Sequence, residues 1–174
     1  MYKKIALLFL FVNLVLVNWS IIKKENHLAE GRIVYLDLAP ADPRSLMQGD
    51  YMALHFQMAN AVYQALPKKK GSRSRRQNVA ATDGYVIAAL DDQNRATFKA
   101  LYTNTHTLNE KEIRLRYRVR NGQVKFATNA FFFQEGHAKY YEPARYGRFR
   151  VDGKGELLLA GMYDADLNRL AANQ

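Results

Sequence analysis

The chain of 174 residues has room for one domain and an appendage, and a soluble part of roughly 150 residues can bury about two thirds of its unfolded surface. Cysteine is absent, which excludes disulfides, thiol nucleophiles and thiolate metal sites together. The formal charge of +10 is local: residues 1–24 carry four lysines and no acid, residues 68–76 carry six bases and no acid, and the remainder is balanced, so a basic nucleic-acid footprint over the whole surface is not indicated.

Ile5 to Ile22 is an apolar run interrupted only by Asn13, Asn18 and Ser20, with Lys3-Lys4 before it and Lys23-Lys24 after it. As a helix it spans about 27 Å, close to a hydrocarbon core of ~30 Å. Trp19 suits the interfacial belt. A cleavable signal peptide shares the basic start and apolar middle, but no good small-x-small site follows. A buried helix of a soluble protein is the third reading. The expectation is an uncleaved anchor over residues 1–24, with the amino terminus inside and residues 25–174 outside the cytoplasm. In a bacterium this is a single inner-membrane anchor with a periplasmic domain.

Glu25 to Gly31 reads as a short linker, and Arg32 to Ala39 as a strand ended by Pro40. Asp50 to Met58 reads as a second strand and Ala59 to Leu66 as a helical turn, stopped by Pro67. The basic run 68–76 follows, with Lys68, Lys69, Lys70, Arg73, Arg75 and Arg76 among Gly and Ser. Its composition predicts a solvated flexible loop. Its sharper reading is an anion-binding segment that meets anionic lipid headgroups, each base contributing about 1 kcal/mol near such a surface.

Gly84 to Leu90, a turn at Asp91–Asn94, and Arg95 to Tyr102 predict a hairpin. The next is clearer: Ile113, Leu115, Tyr117 and Val119 alternate with Arg114, Arg116, Arg118 and Arg120, a strict period of two. Asn121-Gly122 then supplies a type I′ turn. The implied register sets Val119 against Val124, Tyr117 against Phe126 and Arg118 against Lys125. The four arginines are either a stripe for a polyanion or a solvated face with carboxylate partners.

Phe131 to Gly136 is an aromatic run ending in a turn, and Ala138 to Tyr146 predicts a short helix or irregular crossing. Gly147–Val151, a turn at Asp152–Gly155 and Glu156–Tyr163 predict a last hairpin, with a short helix after Asp164. These elements predict a mainly antiparallel β sandwich or partly open barrel with one or two short helices, behind an N-terminal transmembrane helix. His27, His55, His106 and His137 show no ligand spacing, so no metal or other cofactor is expected.

One stretch combines unusual backbone demands: Asp42-Pro43-Arg44, then Gly49-Asp50-Tyr51, Leu54 and Phe56. Gly49 permits a tight corner, Asp50 can accept backbone N–H groups just past it, Pro43 fixes the approach, and Arg44 can bridge the turn. Leu46-x-x-Gly49-Asp50 also echoes the bacterial type I signal peptidase box, but the nucleophile position falls on Ala41, which has no attacking group. The run from Gly49 to Phe56 resembles the signature of the GDYXXLXY family, with Phe56 where that signature ends in Tyr. Phe131 to Gly136, including Glu135, resembles a second segment of that family, with Gln134 in place of a proline.

The resemblance implies a signal-anchored envelope domain found with, or fused to, a multi-pass membrane protein, and carries no established activity. The expected function is therefore a non-catalytic interaction or accessory module for such a protein. The alternatives are an anionic-lipid or polyanion binder and, more remotely, a hydrolase using Asp42 and Asp50 as paired carboxylates. No nucleic-acid partner is expected.

Overall fold

A computed structural model describes residues 2–39, 47–48, 51–68 and 79–171. Helix α1 (Tyr2–Glu30) leads, followed by β1 (Arg32–Asp37), β2 (Met47–Gln48), β3 (Tyr51–Ala53) and α2 (Gln57–Ala65). Then come β4 (Thr82–Leu90), β5 (Ala96–Leu101), β6 (Glu112–Arg120), β7 (Gln123–Lys125), β8 (Ala130–Phe132), α3 (Ala138–Tyr141), β9 (Tyr146–Val151), β10 (Leu157–Tyr163) and β11 (Arg169–Leu170). The fold is mainly β, with two curled antiparallel half-barrel sheets and few short helices.

Along α1 the apolar side chains stand bare: Leu7 is 66% exposed, Phe9 71% and Trp19 68%. Among the described residues no part of the domain covers its apolar run, unlike the core helix of a soluble fold. It is long and apolar enough to cross a membrane. Asn13 and Asn18 do not interrupt it, because each Nδ2 donates to the carbonyl one turn back, of Phe9 and Leu14, at 2.8 Å. In an apolar medium this leaves little polar demand unmet.

The expected linker over Glu25–Gly31 is instead helical through Glu30. Lys23 to Glu30 contains no Gly or Pro and is rich in Lys, Glu, Leu and Ala, which favour helix. Gly31 ends it, with its N–H on the His27 carbonyl at 3.0 Å. The end of α1 is also docked: His27 Nε2 donates to the Arg150 carbonyl and the Arg150 guanidinium donates to the Gly31 carbonyl, both at 2.9 Å. A Cβ on Gly31 would lie 2.5 Å from the His27 carbonyl oxygen and 2.9 Å from Arg150 Cβ. Only glycine admits so close an approach.

One half-barrel has the order β1-β9-β10-β11 and the other β5-β4-β6-β7, while β2-β3-β8 form a small third sheet. The first two meet along one side through a bridge between Tyr35 and Arg95, with the Tyr35 N–H on the Asn94 carbonyl at 2.9 Å. Between them lies one core: Val34 and Leu36 from the first sheet, Val86, Leu115 and Val119 from the second, and Val62 from α2. Phe56 packs edge-on against Phe149 at 5.5 Å and Phe126 at 6.5 Å between ring centres. Each such ring pair adds about 0.5–1.5 kcal/mol beyond its burial.

All three predicted hairpins form. The β6–β7 register sets Arg118 against Lys125 and Val119 against Val124, and Asn121 and Gly122 take φ of 52° and 68°, as the type I′ turn requires. Phe126 lies past the last paired residue and is fully buried. The predicted strand over residues 50–58 is too long, because β3 ends at Ala53 and α2 begins at Gln57. Met52, Leu54, Phe56 and Met58 are all buried, so a period of two runs on into the helix. There Met58, Val62 and Leu66 follow a spacing of four.

The predicted helix after Asp164 is instead a turn and the short strand β11. Asp164 Oδ1 accepts the N–H groups of Asp166 and Asn168 at 2.9 and 2.8 Å, and Leu167 takes φ of 61°. That geometry reverses the chain onto Met162 and Tyr163.

Candidate binding groove

The strict alternation in β6 turns Ile113, Leu115, Tyr117 and Val119 inward and the arginines outward. The outward residues do not form a free cationic stripe. Arg114 stacks over the rings of Tyr85 and Tyr102 at 4.9 and 5.4 Å. Arg116 is paired with Glu156 and, at 3.2 Å, with Asp83, while Arg120 reaches Asp83 at 2.7 Å. The Arg120 hydrogen bond, with help from Arg116, holds the Asp83 carboxyl below its usual range. Glu156, then Asp83, raise the Arg116 guanidinium. These pairs are largely exposed, so each contributes little to stability. Arg118 differs: its guanidinium donates to the Ala127 carbonyl at 2.8 Å and has no carboxylate partner among the described residues.

Beside Arg118 the two half-barrels part. The seam is pinned at one end, where the Arg116 N–H donates to the Gly155 carbonyl at 2.8 Å. Gly155 takes φ of 82°, and a Cβ there would fall 2.7 Å from the Arg114 carbonyl oxygen. Strand β7 closes no more of the seam because it stops after Lys125, and Ala127 at φ of 42° turns the chain away. The result is a groove of about 370 Å³. One wall is Arg116, Arg118, Ala127 and Thr128; the other is Glu156, Leu157, Leu158 and Leu159. The hydroxyl of Thr128 is engaged with Ala130.

Glu156, Leu157–Leu159 and Thr128 were not singled out in the sequence. The signal available was three consecutive leucines in a strand, a break in alternation that reports apolar demand on both faces.

A second polar cluster lies on the far edge of the same sheet. Glu112 is buried, 4% exposed, and its carboxylate meets Lys99 Nζ, His106 Nε2 at 3.1 Å and the Asn109 N–H at 3.2 Å. Lys99, then His106, hold its pKa down at about 2. This is a loop clamp: it ties the β5–β6 connection to the strand that follows. No group of three or more His, Asp or Glu side chains placed to hold a metal occurs among the described residues.

Of the other residues singled out, Asp42, Pro43, Arg44, Gly49, Asp50, Lys69, Lys70, Arg73, Arg75 and Arg76 lie outside the described residues. Lys68 is exposed. Tyr51 sits on β3 opposite Phe132, ring centres 5.7 Å apart. Leu54 and Phe56 are core residues, each 4% exposed. Glu135 and Gly136 are exposed in the turn after β8, where Gly136 takes φ of 79°. The neighbouring Phe131, Phe133 and Tyr141 rings cluster at 4.9–6.5 Å, with Phe132 itself 74% exposed. Tyr51, Leu54 and Phe56 thus hold the small sheet and the core, and Glu135 and Gly136 an exposed turn, none of them lining the groove.

A family model described as GDYXXLXY protein matches residues 13–162, from within α1 into β10. The chain belongs to the GDYXXLXY family. No curated protein and no solved structure matches it. The GDYXXLXY match covers both half-barrels apart from Tyr163 and β11, so the seam between them lies inside the family unit. The signature's last position is Phe56 in this GDYXXLXY chain, where the ring is enclosed by Phe126 and Phe149. A missing hydroxyl there removes a polar group from an apolar site.

Proposed function

We propose that this GDYXXLXY protein is a membrane-anchored interaction module whose β domain stands outside the cytoplasm, in the periplasm of a bacterial envelope, and assists a multi-pass membrane protein without catalysing a reaction. The observation that carries this reading is the open seam, a groove with a leucine wall and an arginine rim built into the middle of the fold. Its side chains suit recognition more than reaction: Glu156 is engaged by Arg116 and Thr128 by Ala130. The docked end of α1 supports the same reading, because a domain clasped to its anchor presents a fixed face to a neighbour in the membrane.

The absence of cysteine makes the location easy to test. Lys154→Cys places one thiol on the exposed β9–β10 turn. An impermeant maleimide should label it in intact spheroplasts; labelling only after lysis would place the domain inside. Partnership is tested by purifying the full chain in native nanodiscs. Retention of a multi-pass protein by the wild type, and its loss on Leu158→Glu, is the expected result, and a chain that retains no membrane protein overturns the reading.

A further inference from the structure

The seam is more than a hollow, because the register of β9 and β10 leaves backbone groups along it without a partner among the described residues. The Asp152 N–H donates to the Glu156 carbonyl at 3.1 Å, which makes that a hydrogen-bonded pair. Such pairs alternate along an antiparallel ladder. Leu158, opposite Arg150, is therefore bonded to β9, whereas Leu157, opposite Val151, and Leu159, opposite Phe149, turn their N–H and C=O groups away from it. Strand β11 takes that outer edge only at Met162 and Tyr163, and the register shift at Ala160 separates the two stretches. Outward N–H and C=O groups two residues apart are what an added strand bonds to.

We propose that the Glu156–Ala160 edge binds an extended, acidic polypeptide segment of a partner protein by strand addition. This rests on the reading of the chain as an interaction module and gives its mode. The open edge has room for about five residues, ~16 Å of strand. Charge selects the segment. Arg118 has no carboxylate partner among the described residues, and Lys125, opposite it in the β6–β7 register, has none either. An acidic side chain of the incoming strand fills that vacancy, while its apolar side chains lie along Leu157 and Leu159.

The test uses the full chain in detergent and an eight-residue synthetic peptide of alternating valine and glutamate. Amide hydrogen exchange at Leu157 and Leu159 should slow at least about tenfold when the peptide binds. The same peptide N-methylated on alternate amides should give no slowing, and a valine–lysine peptide should not bind. Arg118→Glu, an exposed change that leaves the core alone, should weaken binding at least about fivefold. No binding up to about 1 mM, equal binding of the N-methylated peptide, or binding without protection of Leu157 and Leu159 overturns the proposal. So does protection of those amides by self-association without peptide, which assigns the seam to a second copy. In cells, a photoreactive side chain at Leu158 should crosslink to the partner. Crosslinking from Phe132 but not Leu158 sinks strand addition and spares the interaction module; crosslinking from neither sinks both.

Discussion

His27 on α1 donates its imidazole N–H to the carbonyl of Arg150 on β9, and the Arg150 side chain returns to the carbonyl of Gly31, which closes the helix. Residues 123 positions apart in the chain thus make the helix end part of the sheet. Two half-buried hydrogen bonds, one from a charged donor, contribute about 2–4 kcal/mol together. Arg150→Ala removes the guanidinium bond and leaves the carbonyl that His27 holds, so the double change His27→Ala/Arg150→Ala should free residues 24–31, raising their amide exchange and exposing them to protease, while the β4–β6 strands stay protected. Unchanged exchange at Gly31 would show that the clasp does not fix the helix.

Gly84 faces Tyr117 across the β4–β6 ladder, and a Cβ there would lie 2.6–3.0 Å from the phenol ring. The tyrosine covers the bare glycine and is itself buried. Gly84→Ala should cost about 1–3 kcal/mol by overpacking, read as a lower urea midpoint. Adding Tyr117→Leu, which removes the colliding ring, should recover part of the loss. Full additivity of the two changes would argue against direct contact.

Acid should release the Glu112 clamp. Its carboxyl is held from the ordinary 4.5 down to about 2 by Lys99 and His106. A lowered folded-state value means the native state favours the deprotonated form, so the contribution is full above about pH 4.5 and disappears as pH falls toward 2. Glu112→Gln should be less stable than wild type at pH 7 and show a flatter loss between pH 4.5 and 2. Parallel pH profiles for the two proteins would remove Glu112 from the account.

Phe56→Tyr restores the last residue of the family signature and tests whether this core has adapted to its absence. The ring is 4% exposed between Phe126 and Phe149, so an unpartnered hydroxyl should cost about 1–3 kcal/mol. A gain in stability would show that the hydroxyl finds an acceptor.

Gly155→Ala should be the most damaging single change at the seam. The residue combines φ of 82° with a Cβ position 2.7 Å from a backbone oxygen, and its own carbonyl holds the Arg116 N–H. Strain and collision together should cost about 2–4 kcal/mol, measured by thermal unfolding. Tolerance of alanine would mean that the pinned end of the seam gives way easily.

The hairpins were legible because each is closed by local chemistry: Asn121-Gly122 sets the β6–β7 turn, and Asp152 caps the β9–β10 turn through its side chain. The helix–strand boundary near Gln57 was not, because Met58 serves a period of two and a period of four equally well. The continuation of α1 past Lys24 is masked by the charge that follows the apolar run, although the residues themselves favour helix. The groove was invisible for a different reason. It is made by what strands β6 and β10, forty residues apart, fail to do for each other, and unpaired edges have no composition of their own. The arginines showed an outward face, but Asp83 and Glu156 are assigned to them only by folding.

The unbroken helix into Gly31 makes the domain a rigid arm, whose bearing is set by the phase of α1. Each residue inserted between Lys24 and His27 turns the β domain by about 100° about the helix axis and raises it by about 1.5 Å. One added residue therefore swings the seam away from its original heading with every domain contact intact, whereas seven bring it back to nearly the same heading about 10 Å higher. Length and rotation in this short stretch are a single variable, and residues 25–30 act as the gauge that aims the groove.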